Sequence, residues 1–380
     1  MRIGCPREIK NREYRVGLTP ESAKELVSHG HEVWIESGAG LGIGAGDDQY
    51  RASGARIVPD AASVFGECEM VVKVKEPQAS ELAMLREGQI LYTYLHLAPD
   101  PEQTAGLIKS GATAIAYETV TGPSTHGGGT LPLLKPMSQV AGRMSVHAGA
   151  NALEKVHGGR GVLIGGVPGV LPANVVVIGG GVVGFNAAQM SAGMGGRTTI
   201  LDRNPEVLER VGTHFEARAS TRFSNAANLE EAISEADLVI GAVLIPGAAA
   251  PKLVTREMLK IMKPGAVLVD VAIDQGGCFE TSHPTTHDDP TFIVDGIVHY
   301  CVANMPGAVS RTSTYALNNV TLPHALRIAD AFDGPGGWRE ALRRDPHLAQ
   351  GLNVHAGKVT YPAVATELGL DLLPLDEALA

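Results

Sequence analysis

The sequence is poor in several features that mark secreted, zinc-binding and nucleic-acid-binding proteins. Aromatic residues make up 4% of the 380 residues, and basic residues number 31 against 41 acidic ones. The resulting net charge of −10 argues against nucleic acid or an anionic membrane as a partner. Cysteines are few and far apart, without CxxC spacing: Cys5, Cys68, Cys278 and Cys301. We therefore expect reduced, partly buried thiols, and neither a disulfide framework nor a metal site.

An uninterrupted apolar helix that could cross a membrane is also missing. The stretch between Arg160 and Arg197 holds no charged residue, but Pro168, Pro172 and many glycines would break a helix there. We expect a loop, a buried strand, a glycine turn and a helix in its place. The N-terminal residues lack the apolar core of a signal peptide, so the sequence predicts a soluble, cytoplasmic protein.

What the sequence does have is a series of short apolar runs that alternate with helical patterns. Hydrophobic residues make up 44% of the chain, enough to bury large cores. Near-continuous apolar runs are typical of strands buried on both faces, and here they form two series. The first series is Glu32–Ile35, Met70–Val74, Gln89–Tyr94 and Thr113–Tyr117, and the second is Asn174–Ile178, Arg197–Leu201, Leu238–Ala242 and Ala266–Asp270. This alternation predicts an α/β fold with two Rossmann-like, doubly wound parallel sheets.

Helices are predicted between the strands and after them. Pro20–His29 and Pro101–Ser110 each begin with proline after Thr or Asp and end near glycine, as helices commonly do. Residues 137–153 are predicted to form a connecting helix, and residues 313–333 a second helix that is interrupted at Pro323. The tail beyond has helical segments but no clear sheet of its own, so we expect it to pack against the first α/β unit.

The strongest local motif is a glycine turn that directly follows the first strand of the second series. Gly179, Gly181 and Gly184 fit the pattern G-x-G-x-x-G, whose glycines permit a sharp turn, a close approach of pyrophosphate and tight helix packing. Asp202 ends the next strand, 18 residues after Gly184, where a carboxylate would bind the adenosine ribose hydroxyls. NAD is therefore favoured over NADP as the cofactor. Two alternatives stay open: the neighbouring Arg203 could accommodate the 2′-phosphate of NADP, or the glycine turn binds no ligand.

Four polar residues, three of them near predicted strand ends, are candidates for chemistry. Lys75 and His96 follow strands of the first series, and Arg15 lies in a loop before a helix. Open α/β sheets build their sites at strand ends, and the ordinary pKa of histidine, about 6.5, suits proton transfer near neutral pH. Asp274 follows a buried strand of the second series, where an acid either serves catalysis or caps a helix. Lys75, Arg15 or His96, taken singly, could instead be an ordinary solvated side chain.

Several long motifs of the sequence match those of one enzyme family. They are Arg2–Glu8, Arg15–Pro20, Lys73–Pro77, Tyr94–Ala98, Lys135–Arg143, the glycine turn, Ala272–Glu280 and Tyr300–Gly307. These motifs resemble the alanine dehydrogenase family, which includes the alpha subunit of NAD(P) transhydrogenase. The resemblance implies reversible oxidative deamination of L-alanine to pyruvate and ammonium with NAD. It also implies a homohexamer, in which the NAD domain (133–310) is inserted into a substrate domain built from 1–132 and 311–380.

The resemblance also implies a role for individual residues. It makes His96 and Asp274 the catalytic residues, and it makes Arg15 and Lys75 the cations that hold the substrate carboxylate. The substrate-binding residues that it implies are Arg15, Lys75, Met137 and Asn304. The cofactor contacts that it implies are Ser138, Gly179, Gly181, Val182, Gly184, Asp202, Ser224, Val243, Leu244, Val271, Ala272, Ile273, Asp274, Val302, Ala303, Asn304 and Met305.

Other functions stay open at this point. An NAD-binding subunit of a proton-translocating transhydrogenase would pass hydride to a partner protein and leave Lys75, His96 and Asp274 without a task. A related amino-acid dehydrogenase, such as one that joins lysine to a keto acid, would act on another substrate, and an NAD-sensing protein would turn over nothing. The sequence departs from the family at residues 121–130, a segment a few residues longer than usual. This segment is either a tolerated surface insertion or a loop that affects the site.

Overall fold

The structure is a computed structural model that describes residues 1–125, 128–243 and 250–380. The chain divides into two units, of which the first combines Met1–Pro136 with Gly307–Ala380 and the second is Met137–Pro306. Each unit is built on its own mainly parallel sheet with helices packed against it, which confirms the predicted α/β class. The sequence analysis divides the chain into domains between residues 132 and 133 and between residues 310 and 311. It assigns substrate binding to one domain and NAD binding to the other, and both assignments stay predictions.

The sheet of the first unit takes strands from both ends of the chain. Within the described residues its strands are β1 (Arg2–Cys5), β2 (Glu32–Glu36), β3 (Arg56–Val58), β4 (Met70–Val72), β5 (Ile90–Thr93), β6 (Thr113–Ala116), β16 (Leu352–His355) and β17 (Lys358–Val359). Their order is β17-β16-β6-β5-β4-β1-β2-β3. Strands β1 to β6 run parallel, whereas β16 and β17 are antiparallel to their neighbours.

The strands predicted for the first unit are present, and three of them are shorter than predicted. Strand β4 ends at Val72, because the backbone amide of Val74 donates to a Glu8 carboxylate oxygen at 2.6 Å rather than to a neighbouring strand. In the segment 121–130, β7 (Gly122–Thr125) pairs with β8 (Gly128–Thr130) as an antiparallel hairpin. Residues 126 and 127 of that segment lie outside the described residues.

Helices cover the first sheet, and two of them begin at the predicted caps. The Thr19 hydroxyl accepts the amide of Ser22 at 3.1 Å before one helix, and Asp100 accepts the amide of Gln103 at 3.0 Å before another. The helices of this unit are α1 (Pro20–Ser28), α2 (Asp47–Ala52), α3 (Ala61–Glu67), α4 (Ala79–Leu82), α5 (Pro101–Ser110), α10 (Ser310–Ala331), α11 (Trp338–Arg344), α12 (Pro346–Ala349), α13 (Pro362–Leu368) and α14 (Leu375–Leu379).

The predicted interruption at Pro323 is wrong, because α10 is continuous through this residue. Proline removes one amide donor and crowds the preceding turn, which usually ends a helix. Here the Thr321 hydroxyl donates to the Leu317 carbonyl at 3.1 Å in that turn. Leu317 and Ile328 are fully buried on either side of the proline. Tertiary packing therefore outweighs the local preference for a break.

The C-terminal tail packs against the first unit, as predicted, and it does so by extending the sheet. Strand β16 pairs antiparallel with β6, placing Leu352 opposite Ile115, and β17 pairs with β16 at the sheet edge. The sequence pattern did not identify these two strands. The partner that joins β16 to the sheet, β6, lies more than 200 residues away along the chain, so no local signal specifies this pairing.

The sheet of the second unit is parallel except for one edge strand. Its described strands are β9 (Asn174–Ile178), β10 (Arg197–Asp202), β11 (Ala219–Phe223), β12 (Leu238–Gly241), β13 (Val267–Asp270), β14 (Thr291–Val294) and β15 (Ile297–Tyr300), in the order β11-β10-β9-β12-β13-β15-β14. The helices of this unit are α6 (Lys135–Ala152), which enters it at Met137, α7 (Val182–Gly193), α8 (Pro205–Phe215) and α9 (Ala226–Glu235). The predicted strands are all present, and β11, β14 and β15 are additional.

Burial accounts for the apolar runs and for the cysteines. Val175 and Val177 face one core cluster of the second unit, whereas Val176 and Ile178 face another, so β9 is apolar on both sides. All four cysteine side chains are buried and unbridged, more completely than the sequence predicts. Burial raises the pKa of Cys5, Cys68 and Cys301 to about 12, which keeps these thiols protonated at neutral pH. Among the described helices, none is both long and apolar enough to cross a membrane.

Candidate active site

Three predicted site residues of the first unit lie beyond the carboxyl ends of neighbouring strands. Arg15 lies in the loop after β1, Lys75 follows β4, and His96 follows β5. Because these strands are parallel and adjacent, their carboxyl ends lie along one edge of the sheet. Glu118, which follows β6, joins the same edge although sequence reasoning did not select it. The fold thus gathers two cations, an imidazole and a carboxylate.

Arg15 is a buried cation that is held by a carboxylate two residues away. Its Nε and Nη2 atoms both donate to Glu13 at 2.6 Å, and its backbone amide donates to the same carboxylate at 3.0 Å. Burial alone would lower the pKa of the guanidinium, but the hydrogen bonds and charge of Glu13 outweigh it and raise that pKa. Both side chains are almost completely buried. Arg15 is therefore permanently charged and fixed in orientation.

Lys75 follows a second lysine that has a structural task. Lys73 is fully buried and donates to Glu8 at 3.0 Å and to Glu81 at 2.7 Å. Burial alone would lower the pKa of Lys73, but the two carboxylates raise it. Glu8 also accepts hydrogen bonds from the backbone amides of Val74 and Lys75, and these bonds anchor the chain just after the strand. The Lys75 ammonium lies 4.0 Å from Glu76, and its side chain is 14% exposed.

His96 has an unusual backbone conformation that Glu118 stabilises. Its φ is +50°, a left-handed value that residues other than glycine seldom adopt. The Glu118 carboxylate accepts the amide of His96 at 2.6 Å and the amide of Leu95 at 3.2 Å. The imidazole stacks on the ring of Tyr94, with centroids 5.8 Å apart and an interplanar angle of 6°. About half of the His96 side chain is exposed.

The predicted cofactor residues of the second unit lie along the carboxyl edge of its sheet. The strands β11, β10, β9, β12, β13 and β15 are parallel neighbours, and each is followed by predicted contacts. Open α/β sheets bind ligands at this edge. The contacts placed there are Gly179, Gly181, Val182, Gly184, Asp202, Ser224, Val243, Val271, Ala272, Ile273, Asp274, Val302, Ala303, Asn304 and Met305. Ser138 lies instead in the first turns of α6, and Leu244 is outside the described residues.

The glycine turn has the geometry that a dinucleotide needs. Gly179 has φ +102°, and a Cβ atom there would lie 2.8 Å from the Ala242 carbonyl oxygen. A Cβ atom on Gly184 would lie 1.7 Å from the Gly179 carbonyl oxygen, so only glycine lets α7 pack this closely. A Cβ atom on Gly181 would meet nothing within 4 Å. The backbone at Gly181 is therefore open to a ligand beside the amides that begin α7, the type of position at which phosphates bind.

Asp202 connects the glycine turn with the neighbouring strand ends. One carboxylate oxygen accepts the Gly180 amide at 2.7 Å, and the other accepts the Asn204 amide at 2.8 Å. Its carbonyl oxygen accepts the amide of Ser224 at 2.9 Å. Asp202 is therefore positioned beside the turn, where sequence reasoning expects a ribose-binding carboxylate, and its role toward a ribose stays a prediction.

The structure also decides between the two interpretations of Asp274. This residue lies within a 3₁₀ turn, Ile273–Gln275, whose N-cap position is Ala272. The helix-cap interpretation is therefore wrong, and the exposed Asp274 carboxylate is available for another task. Met137 and Asn304, the remaining predicted substrate contacts, lie at the start of α6 and in the segment after β15. Asn304 has φ +63°, and its carbonyl oxygen lies 3.3 Å from the His287 ring nitrogen Nε2.

Across residues 1–125, 128–243 and 250–380, no group of three or more His, Cys, Asp or Glu side chains is arranged to hold a metal ion. The first unit supplies buried or fixed cations, an imidazole and carboxylates, which suit binding of an anion and proton transfer. The second unit supplies a glycine turn at the carboxyl edge of its sheet, which suits binding of a dinucleotide.

Comparisons with known proteins cover both units. Family models described as "Alanine dehydrogenase/PNT, N-terminal domain" and "Alanine dehydrogenase/PNT, C-terminal domain" match residues 4–141 and 145–362. The alanine dehydrogenase of Halomonas elongata is 59% identical over 371 residues, which are 98% of this chain and 98% of that protein. A solved L-alanine dehydrogenase matches with a TM-score of 0.92 and 51% identity, over 97% of this chain and 99% of the other.

A transhydrogenase structure from Sinorhizobium meliloti is also similar, with a TM-score of 0.77 and 28% identity over 96% of this chain and 100% of that one. The family models together match nearly the whole chain, and the relatives are covered almost end to end. The fold, the order of the two domains and the glycine turn are thus accounted for together: the chain belongs to the alanine dehydrogenase/PNT family.

Proposed function

We propose that this chain catalyses the reversible, NAD-dependent oxidative deamination of L-alanine to pyruvate and ammonium. The observation that carries the proposal is the set of Arg15, Lys75 and His96 at one sheet edge, in a chain 59% identical to an alanine dehydrogenase. L-Alanine has one carboxylate and one amine, so few protein side chains are needed to bind it and to transfer its protons. The set contains a pair of cations for the carboxylate and an imidazole for the amine proton.

Arg15 and Lys75 hold the substrate carboxylate in this proposal. The guanidinium is oriented by Glu13 and presents planar donors, whereas the ammonium is a compact charge on a flexible chain. A carboxylate bound by both has one preferred orientation, which also orients the α-carbon. Met137 and Asn304 complete the substrate-binding residues.

His96 and Asp274 handle the protons of the reaction. Bound NAD supplies the acceptor for the hydride of the α-carbon. His96 takes a proton from the substrate amine and later from the water that replaces ammonia, and Asp274 is the second acid–base residue. One of these protons goes to the departing ammonia and the other is released to solvent, so that one alanine, one NAD⁺ and one water give pyruvate, ammonium, NADH and one proton. In the amination direction both residues return these protons.

The second unit binds NAD in this proposal, and the first unit binds the substrate. The open space at Gly181 and the amides at the start of α7 support binding of the pyrophosphate there. The Asp202 carboxylate accepts hydrogen bonds from the ribose hydroxyls of the adenosine half. This favours NAD over NADP, because the carboxylate would repel the 2′-phosphate of NADP. Ser138, Ser224, Val243, Leu244 and the segments 271–274 and 302–305 provide the other contacts.

A transhydrogenase subunit is the second candidate. The solved transhydrogenase shares this fold, but its identity is 28% against 51% for the solved L-alanine dehydrogenase. A subunit that passes hydride to a partner protein would leave Lys75, His96 and Asp274 without a task. A related dehydrogenase of another amino acid would use the same residues and is separated only by substrate tests.

We also propose a homohexamer in the cytoplasm. The hairpin in which Val167 and Val170 pair exposes several apolar side chains, each more than half exposed: Leu163, Val167, Val170 and Leu171. Exposed apolar patches of this kind mark surfaces that associate. Unbridged cysteines and the use of NAD fit a reducing compartment. Light scattering of the purified protein tests the assembly, and Leu171→Asp should yield smaller particles.

The decisive experiment follows NADH consumption with pyruvate and ammonium at neutral to alkaline pH. We expect turnover with pyruvate and ammonium. We expect little turnover when a larger keto acid replaces pyruvate or when lysine replaces ammonium. Turnover with NADPH should be much lower. NADH binding without turnover of any keto acid would contradict the proposal and favour the transhydrogenase or NAD-sensing alternative. Preferred turnover of lysine with a keto acid would favour another amino-acid dehydrogenase.

A further inference from the structure

The segment 271–279, which carries Asp274, is organised around one buried carboxylate. Asp270 is the last residue of β13 and is fully buried. Its Oδ1 accepts the amide of Ala272 at 3.1 Å, near the start of the segment. Its Oδ2 accepts the amides of Cys278 and Phe279 at 2.9 and 3.2 Å, at the end of the segment. One side chain therefore binds both ends of the segment.

Further donors complete the surroundings of Asp270. The Ser282 hydroxyl donates to Oδ2 at 2.6 Å, and the Cys278 thiol donates to Oδ1 at 3.5 Å. A buried carboxylate is stable only when donors surround it, and here most of them are backbone amides of the segment itself. The buried negative charge of Asp270 and the conformation of the segment 271–279 consequently depend on each other. Any conformation that moves these amides away leaves a buried anion without its donors.

The backbone of the segment turns directly over this carboxylate. Gly276 and Gly277 have φ values of +85° and +76°, which favour glycine. A Cβ atom on Gly277 would lie 2.6 Å from Asp270 Oδ2, so the chain has no room for a side chain there. The amide of Gly276 donates to the Ile273 carbonyl at 3.0 Å and thereby closes the 3₁₀ turn that contains Asp274.

A cation binds the same segment through its carbonyl groups. The ammonium of Lys252 donates to the carbonyl oxygens of Gly276, Gly277 (2.9 Å) and Phe279 (3.3 Å). The adjacent Leu253 amide donates to the Cys278 carbonyl at 2.8 Å. The segment thus has its amides directed to a buried anion and its carbonyls directed to a cation at the surface.

We infer that Asp270 and Lys252 are positioning residues, which hold the backbone of 271–279 and thereby place the Asp274 carboxylate for proton transfer. This inference rests on the catalytic role proposed above for Asp274. Neither residue needs to touch the substrate. Outer-shell groups that orient metal ligands are typically worth about 10- to 100-fold in activity, and we expect a loss of the same order for groups that orient a catalytic carboxylate.

The test replaces each anchor and follows both the loop and the reaction. In Asp270→Asn the amide group adds donors where backbone donors already point, and Lys252→Met removes the ammonium but keeps the length of the side chain. We expect hydrogen–deuterium exchange within 271–279 to become faster in both variants. We expect kcat to fall about 10- to 100-fold in Asp270→Asn and less in Lys252→Met, since the lysine is exposed. Asp237→Asn is the matched control, because Asp237 is a buried carboxylate before β12, at the opposite edge of the same sheet.

A double-mutant cycle separates positioning from a general structural role. If Asp270 acts through Asp274, adding Asp270→Asn to Asp274→Asn should cost less than about threefold more in kcat. The inference would be overturned if the kcat loss of the double variant equals the product of the two single-variant losses. It would also be overturned if hydrogen–deuterium exchange in 271–279 stays at the wild-type rate. If Asp270→Asn does not fold, the cycle of Lys252→Met with Asp274→Asn decides by the same criteria. The exchange measurement needs no substrate, so it still tests whether the two residues hold the backbone of 271–279 if the wild-type protein fails to oxidise NADH with pyruvate and ammonium, a failure that would refute the proposed function instead.

Discussion

Glu118 holds His96 through the backbone, with the His96 amide 2.6 Å from a carboxylate oxygen. The same carboxylate accepts the amide of Leu95, and its nearest oxygen lies 3.9 Å from the imidazole Nδ1. The left-handed φ of His96 costs free energy that these two hydrogen bonds offset. A carboxylate at the end of β6 therefore determines where the imidazole at the end of β5 is directed.

Replacing Glu118 should disturb His96 without removing it. Glu118→Gln keeps one oxygen that can accept from both amides, but it removes the negative charge that strengthens these hydrogen bonds and the second acceptor of the Leu95 amide. We expect kcat to fall about tenfold, with little change in the affinity for NADH. Steady-state kinetics and NADH fluorescence titration measure the two quantities. A wild-type kcat in a correctly folded variant would show that the Glu118 contact is not needed for turnover.

Removal of the imidazole itself should have the larger effect. His96→Ala should lower turnover by about 10²- to 10⁴-fold, because a positioned acid–base group contributes that much to a proton transfer. The dissociation constant of NADH should remain close to that of the wild type. Stopped-flow measurement of NADH oxidation with pyruvate and ammonium provides the test. Unchanged turnover would remove His96 from the proposed role.

The guanidinium of Arg15 should matter by its shape as well as its charge. Lysine in its place keeps a positive charge but cannot donate to both oxygens of Glu13 from one planar group. We expect Arg15→Lys to raise the KM for pyruvate about 10- to 100-fold, with the KM for NADH within about threefold of the wild type. Arg7→Lys is the matched control, since Arg7 is a largely exposed arginine of the same unit. Equal KM values in Arg15→Lys and wild type would argue against a carboxylate contact.

Two glycines of the dinucleotide turn should respond differently to alanine. A Cβ atom on Gly181 meets nothing, so Gly181→Ala should change the free energy of unfolding by less than about 1 kcal/mol but weaken NADH binding at least about tenfold. A Cβ atom on Gly184 collides with the Gly179 carbonyl, so Gly184→Ala should destabilise the fold by roughly 1–3 kcal/mol as well.

Urea unfolding and fluorescence titration of both variants separate the two effects. If Gly181→Ala binds NADH as tightly as the wild type, the pyrophosphate does not lie where the open space suggests. If Gly184→Ala is as stable as Gly181→Ala, the close packing of α7 on the turn does not contribute to stability.

Acid should destabilise the first unit partly through Glu76. Burial alone would raise the pKa of this carboxyl group, but the charges of Lys75 and Lys10 and the hydrogen bond from Lys10 outweigh burial and lower that pKa below its ordinary value of 4.5. Because the folded state then binds fewer protons than the unfolded state, the stabilisation is present above pH 4.5 and is lost as the pH falls through the lower, folded-state pKa. The unfolding free energy should therefore fall as the pH is lowered from 5 to 3.

Glu76→Gln tests this pH dependence. It removes the titrating group, so the decline between pH 5 and pH 3 should be shallower than in the wild type. Glu87→Gln serves as the control, because it removes the same charge from an exposed position. An equal slope in Glu76→Gln and wild type would show that Glu76 does not contribute to the acid dependence.

Local sequence pattern was sufficient for much of the fold. Strands such as β9 and β12 are short apolar runs buried on both faces, and any other structure would expose them. The caps at Thr19 and Asp100 act within three residues of themselves, so they were readable from the sequence. The glycine turn was readable for the same reason, because Gly179 and Gly184 contact each other across five residues.

Interactions between distant segments were not predictable in this way. Strand β16 exists because the edge of β6 offers it a partner, and α10 passes Pro323 because both sides of the proline are buried. Glu118 reaches His96 only through the register that places Ala116 of β6 beside Thr93 of β5. No spacing in the sequence encodes that register.

The sequence by itself determined the two α/β units, the strand ends at which Lys75, His96 and Asp274 lie, the helix before which Arg15 lies, and the glycine turn, because each depends on neighbours a few residues away. Only the tertiary structure decided which carboxylates hold those groups: Glu13 for Arg15, Glu118 for His96 and Asp270 for the loop of Asp274. The physical reason is that a buried charge is stable only beside donors that match it. Most of those donors come from a neighbouring strand end or from the far side of a loop, and only the folded chain brings them together.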